Sequence, residues 1–293
     1  MSGAPARPHL PPAPHDTQRQ AFLRGVARNR GAVVGALLLM LLVLLAVIGP
    51  LAAGDPTKQH IADRLTPPGR PYWFGTDELG RSIFARVARG APISLASGIV
   101  SVLVGLIGGA IIGVVAGYFE RRLGLVLMAV IDILLALPAI LLAITVAARL
   151  GAGLPAAMLA AGIVGLPSYA RLARASTLAL KRRELVDAAR SIGASDLQIM
   201  TGHILPNILT PLIVQATIGV GNAILLVSAL GFLGLGAQPP TPEWGRMLSD
   251  AQRYITDAPY VGIFPGLAIS LTVLGFNLLG DGLRDALDPA RRR

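Results

Sequence analysis

The sequence predicts an all-α, polytopic membrane protein of six transmembrane helices, and three observations carry the prediction. Apolar residues make up 53% of the chain and charged residues only 14%, a balance too apolar for a soluble domain of 293 residues. Charge-free runs repeatedly exceed the roughly 20 residues that a helix needs to cross a bilayer, whereas strands of a buried sheet come in far shorter runs. The basic residues behind the net charge of +10 cluster beside the apolar runs with no aromatic residues interleaved, a membrane-topology pattern rather than a nucleic-acid surface. Cysteine is absent, which excludes a disulfide framework, a thiol nucleophile and a thiolate metal site.

The elements follow in order. Residues 1–30 form a Pro-rich tail, expected to be cytoplasmic and partly disordered. The run from Gly31 to Ala53 is too long for the apolar core of a signal peptide and reads as an uncleaved anchor. With the outer loop behind it, it forms a first unit over residues 31–90. Residues 91–280 hold five more helices, and 281–293 form a second cytoplasmic tail. Those five are read from charge-free runs at Gly90 to Phe119, Leu123 to Ala148 (broken only by Asp132), Leu150 to Ala170, Asn207 to Leu230 and Ala258 to Gly280. The run starting at Ile204 continues to Pro242, too far for one helix at 1.5 Å per residue, and its end carries Gly231, Gly234, Gly236, Pro239 and Pro240. An irregular segment that dips into the membrane or lies against it is therefore expected after Leu230. Six spans put both termini on one side. That side collects about two thirds of the Lys and Arg residues, so both termini are expected in the cytoplasm.

The connection between spans four and five, Arg171 to His203, is too long and too patterned for a passive turn. Leu185, Ala188, Ala189 and Ile192 recur at helical spacing, and the two alanines leave room for another surface to approach. Gly193 can take the positive φ of a sharp helix exit. Ser195 and Gln198 have capping-box spacing and start a second helix, and Pro206 suits the first turn of span five. The residues alone fit two readings of this bent element: docking into a groove on a separate protein, or lying on the bilayer with Arg171, Arg174, Lys181, Arg182 and Arg183 against anionic lipid.

Asp187-Ala188-Ala189, Gly193 and Leu205-Pro206 resemble the EAA loop, here about residues 183–206, of permease subunits of ATP-binding-cassette importers. Asp187 stands where that pattern has Glu, and His203 where it has Ile. His203-Ile204-Leu205-Pro206-Asn207 is similar to the form found in the dipeptide, oligopeptide and nickel importers. Phe74-Gly75-Thr76-Asp77-Glu78-Leu79-Gly80-Arg81, Pro265-Gly266 and the stretch Asn277 to Asp285 with Asp288-Pro289 resemble the C-type permease of that family. The resemblance implies the type I permease fold with a cytoplasmic coupling helix, carrying Ala188 and Ala189, that sits in a cleft of an ATP-binding subunit. It implies a bacterial inner-membrane location, a second homologous permease in a heterodimer, two cytoplasmic ATPase subunits that bind ATP and Mg, and a periplasmic or lipid-anchored binding protein. The segment Gly231 to Asp257, with Glu243, Trp244 and Arg246, is its expected docking surface. Peptides are the implied cargo, with glutathione-like compounds and nickel chelates as alternatives.

No cofactor is expected in the chain itself. A phosphate-binding loop ends in Gly-Lys-Ser/Thr, and neither Lys58 nor Lys181 follows a glycine, so ATP hydrolysis is expected of a partner. The glycines from Gly105 to Gly117 lie within a charge-free span and read as close helix packing rather than a dinucleotide fingerprint. Asp132, the carboxylate inside an apolar run, is assigned a structural or gating role rather than proton coupling. His203 has no ligand-type residue at metal spacing and reads as a helix-terminus contact. An ion-coupled secondary transporter would need paired ionisable groups at mid-membrane and an internal repeat, and neither is apparent.

Overall fold

The computed structural model describes residues 25–182 and 184–287. Residues 1–24 of the expected tail over residues 1–30, Arg183 and the Asp288-Pro289 pair lie outside the described residues. The chain is helical almost throughout: α1 (Arg30–Ala52), α2 (Ile83–Tyr118), α3 (Arg122–Ala136), α4 (Ala139–Leu150), α5 (Leu154–Lys181), α6 (Glu184–Ser191), α7 (Leu205–Phe232), α8 (Trp244–Ala251) and α9 (Tyr260–Leu287). Five long apolar helices can cross a membrane: α1, α2, α5, α9, and α7 with the turns leading into it.

The third predicted span is not one helix. It is broken into α3 and α4, which meet at 99°, so the count reaches six only if this bent pair is one span. Pro138 is the cause: the residue before a proline is pushed out of helical geometry, and Leu137 is extended at ψ 137. The boundaries of three other helices also depart from the sequence reading. α2 starts at Ile83 rather than Gly90, capped by Ser82, so Arg86 and Arg89 are helical. α5 runs on to Lys181, because the Ala- and Leu-rich stretch after Ser168 contains no helix breaker; the connection to α7 therefore starts near Arg182 rather than Arg171. α9 likewise continues to Leu287, through the first part of the expected tail.

α2 and α5 form the centre of the bundle. Gly105, Gly109, Gly113 and Gly117 line one stripe of α2 against Gly162, Leu166, Ala170 and Thr177 of α5. The approach is so close that a Cβ at Gly113 would lie 2.3 Å from the Ala170 carbonyl oxygen. Small residues that let two backbones meet are how spans associate where the hydrophobic effect offers no drive, as the sequence predicts here. α7 and α9 pack around this pair, and α1 lies outermost along α9 and the start of α2. Asn29, which caps α1, donates to Asp285 of α9 (3.1 Å).

Candidate functional site

Three features stand out: a bent element at one end of the bundle, a cap at the other, and an open ion pair on the spans between them.

In the bent element α6 stops at Gly193, whose φ of +86 is a conformation that glycine adopts freely and most residues with a Cβ do not. The Ala194 amide closes the end on the Ala189 carbonyl (3.1 Å), a Schellman-type finish. The capping box forms: the Gln198 amide donates to Ser195 Oγ (3.4 Å), and the Ser195 amide to Gln198 Oε1 (2.8 Å). A wide π-helical turn, Ile199–Ile204, then leads into α7, with Pro206 in its first turn and Asn207 donating to the His203 carbonyl (2.6 Å).

The apolar stripe divides differently from its sequence reading. Ala189, at 4% exposure, and Val186 face inward and share a core with Ile199 and Ile204. The uncovered surface carries Asp187 and Ala188, then Ile192 at 86% and Leu197 at 66% exposure. Of the two alanines expected to meet another surface, only Ala188 is free to do so. The reason is geometric, because neighbouring helix positions lie 100° apart, and here the boundary between the covered and the open face of α6 falls between the two alanines.

Tyr118, which the sequence reading did not single out, ties this element to the spans. Its hydroxyl pairs with the Asp196 carboxylate and accepts from Arg190 of α6 (3.3 Å). Lys181, at the end of α5, donates to the Tyr118 carbonyl (2.7 Å), pairs with Glu120 (2.9 Å) and lies 5.5 Å from the centre of the tyrosine ring. The hydrogen bond and charge of Lys181 hold the Glu120 carboxyl below the usual carboxylate range. One tyrosine therefore joins the ends of α2 and α5 to both sides of the bend. Its only signal in sequence was a polar aromatic residue ending a long apolar run.

At the far end of the bundle, Asp77 organises a buried cap. Its carboxylate accepts from the Leu79 and Arg81 amides (3.0 and 2.9 Å), pairs with Arg81 Nε (2.6 Å) and lies 3.4 Å from Arg86 Nε. Arg86 in turn approaches Asp250 of α8 (3.8 Å), which pairs with Arg246 (3.0 Å). Burial pushes the nearby Glu78 carboxyl up from its ordinary range. Phe74 stacks on Phe264 of α9 at 3.9 Å between ring centres. The expected docking residues Glu243 and Trp244 are corrected here, being 1% and 0% exposed. Glu243 caps α8 through the Gly245 and Arg246 amides (2.8 Å each), and the Trp244 indole donates to the Val87 carbonyl (3.0 Å). Burial raises the Glu243 carboxyl, against the pull of those two amides. Arg246 is half-buried.

Asp132 of α3 meets Arg171 of α5 at 2.7 Å, and both side chains remain more than half uncovered by the chain, at 58% and 56%.

Residues 109–293 match the family model of the binding-protein-dependent transport system inner membrane component, and residues 17–68 match the N-terminal TM domain of oligopeptide transport permease C. The chain is 46% identical to the dipeptide transport system permease protein of Alkalihalophilus pseudofirmus, covering 92% of this chain and 89% of that one. It is 46% identical to the di/tripeptide transport system permease protein of Pseudomonas aeruginosa (99% and 97%) and to the glutathione transport system permease protein of Escherichia coli (97% and 94%). Among solved structures it is similar to a chain of the MetNI methionine ABC transporter in an inward-facing conformation, with a TM-score of 0.56 at 23% identity over 69% of this chain and 96% of that one, a likeness of fold. With six apolar spans if the bent pair counts as one, a family match over well over half its length and near full-length relatives, the chain belongs to the inner membrane permease components of binding-protein-dependent importers.

Proposed function

We propose that this permease forms half of the translocation pathway of an ATP-driven importer of peptides, and that α6 is the element through which one of two ATP-binding subunits drives it. The observation that carries the coupling role is the surface of Ala188, Ile192 and Leu197: small or apolar, uncovered by the chain, and rigidly joined to α2, α5 and α7 through Tyr118 and the π turn. An apolar surface of this kind fits a groove better than a layer of lipid headgroups. The cargo follows from the relatives named for dipeptides, di/tripeptides and glutathione, which are all amide-linked compounds.

In this reading the α6 end is cytoplasmic, a homologous permease supplies the other half of the pathway, and the chain makes and breaks no bonds and holds no cofactor. ATP and Mg belong to the ATPase subunits. The mechanism is alternating access: closure of the ATPase pair moves α6, and the tie at Tyr118 turns that movement into repacking of the spans. Asp132 and Arg171 act as a latch between α3 and α5 that the movement strains. The binding protein docks on the exposed rim of the cap, where Trp73 and Ile255 stand open, with Arg246 at its edge, while Glu243 and Trp244 hold that rim from beneath.

The test is the complete complex in vesicles, supplied with binding protein and a set of labelled peptides. ATP-dependent uptake of a peptide is expected, and uptake of none would remove the cargo assignment. Because the chain lacks cysteine, single-cysteine variants report topology cleanly. Thr57→Cys should react with an impermeant thiol reagent from outside intact cells, and Arg121→Cys only after the cytoplasmic side is opened; the reverse result would invert the orientation.

A further inference from the structure

α7 has two open faces of opposite character. On one, Leu209 and Ile213 border a groove of about 490 Å³ against α2 that is lined almost wholly by apolar side chains, as expected of a surface meeting lipid. On the other, Gln215 and Asn222 border a cleft of about 110 Å³ together with Ser101 of α2 and Ser168 and Tyr169 of α5, and no charged side chain lines it.

The position of these groups is informative. Ser168 stands midway along α5, and Gln215, Asn222 and Ser101 lie in the interior of their helices, so the cleft is near mid-membrane. Ser168 and Asn222 are exposed and Gln215 is half-buried. None of these three side chains makes a hydrogen bond within the described residues, although each carries donors and acceptors that hydrocarbon cannot satisfy. The Tyr169 hydroxyl points to the same cleft and fills the space left by Gly219, where a Cβ would come within 2.1 Å of it. One turn further along α5, Arg171 pairs with Asp132 and is equally uncovered. A strip of unsatisfied amides and hydroxyls on the face opposite a greasy groove belongs against water and cargo.

We infer that Ser168, Gln215 and Asn222, with the Tyr169 hydroxyl, form the recognition wall of the pathway for an amide-bearing cargo, held through hydrogen bonds to neutral side chains. Neutral amides can pair with the N–H and C=O groups of a peptide in turn as it passes. They bind weakly enough to release it, whereas a fixed charge would trap one terminus. The inference rests on the transport reading above, with the facing permease completing the site.

The experiment uses the assembled complex in vesicles, with Ser168→Cys, Asn222→Cys and Ile213→Cys in the naturally cysteine-free chain, a cationic methanethiosulfonate as aqueous probe and a labelled dipeptide as cargo. Cysteines at 168 and 222 are expected to react at least tenfold faster than the one at 213. Asn222→Leu combined with Gln215→Leu is expected to lower dipeptide uptake at least tenfold while ATPase subunits remain bound. Labelling at 168 and 222 no faster than at 213 would overturn the wall. Fast labelling with wild-type uptake by the leucine variant would overturn its recognition role. Fast labelling in a wild-type complex that takes up no peptide supports the water-facing strip and rejects the cargo reading instead, so the two failures are distinguishable.

Discussion

The hydroxyl of Tyr118 in the last turn of α2 and the carboxylate of Asp196 at the head of the turn into α7 are hydrogen-bonded to each other across 78 residues of chain, with Arg190 on the hydroxyl's other side (3.3 Å). A central span is thereby fixed to both limbs of the bend. Tyr118→Phe removes both bonds and keeps the ring. A hydrogen bond to a charged partner contributes about 1.5–3 kcal/mol when buried and less at this half-open site, so the fold should survive. The expected result is a complex that retains its ATPase subunits but hydrolyses several times more ATP per peptide imported, measured by parallel uptake and phosphate release. An unchanged ratio would remove Tyr118 from the transmission path.

The two alanines of α6 should separate sharply. Ala188→Glu places a carboxylate on an exposed surface, so the chain should fold and insert normally while ATPase subunits are lost on purification. Ala189→Glu forces a charge into the core with Val186, Ile199 and Ile204, at a cost of several kcal/mol, and should lower the yield of folded permease itself. Thermal stability of the permease and ATPase retention, read side by side, test this. Equal stability of the two variants would contradict the inward orientation of Ala189.

Gly193 stands at φ +86 with nothing within 4 Å of where a Cβ would sit, so its constraint is backbone conformation alone. Gly193→Val should strain or redirect the bend by about 1–2 kcal/mol and reduce uptake. Gly193→Asn, which tolerates the left-handed region, should transport within about twofold of wild type. Uptake assays of the pair decide the matter, since a steric role would make both variants fail.

At the opposite end, Asp77→Asn leaves Arg81 and Arg86 buried with one carboxylate fewer, and removing one partner of a buried pair costs about 3–5 kcal/mol. The loop over residues 54–82 should loosen and become open to limited proteolysis from the side of the cap. The α6 end should keep its ATPase subunits, because the two sites lie at opposite ends of the spans. An uncleaved loop would show that Phe74 on Phe264 and the backbone turns hold the cap unaided.

The sequence by itself determined the features that rest on local chemistry. Run length and charge distribution yielded the spans. Glycine at position 193 announced the turn, Ser195 with Gln198 the cap, and the four-residue glycine repeat of α2 a close helix contact, because each is set by backbone geometry or by a partner within one helical turn. Run length joined α3 and α4 into one span; Pro138 is the local cause of their break, but how far the two halves diverge depends on what each packs against. Only the tertiary structure decided which of two adjacent alanines faces out, that Glu243 and Trp244 are interior, and that Asp132 meets Arg171. The Tyr118 tie and the polar cleft between α2, α5 and α7 belong to the same class. Their residues lie far apart in the chain, 78 positions for Tyr118 and Asp196, and the pattern within one span does not encode which face of another it will meet. That is settled by the interdigitation of small side chains across the bundle, a property of all the helices packed at once.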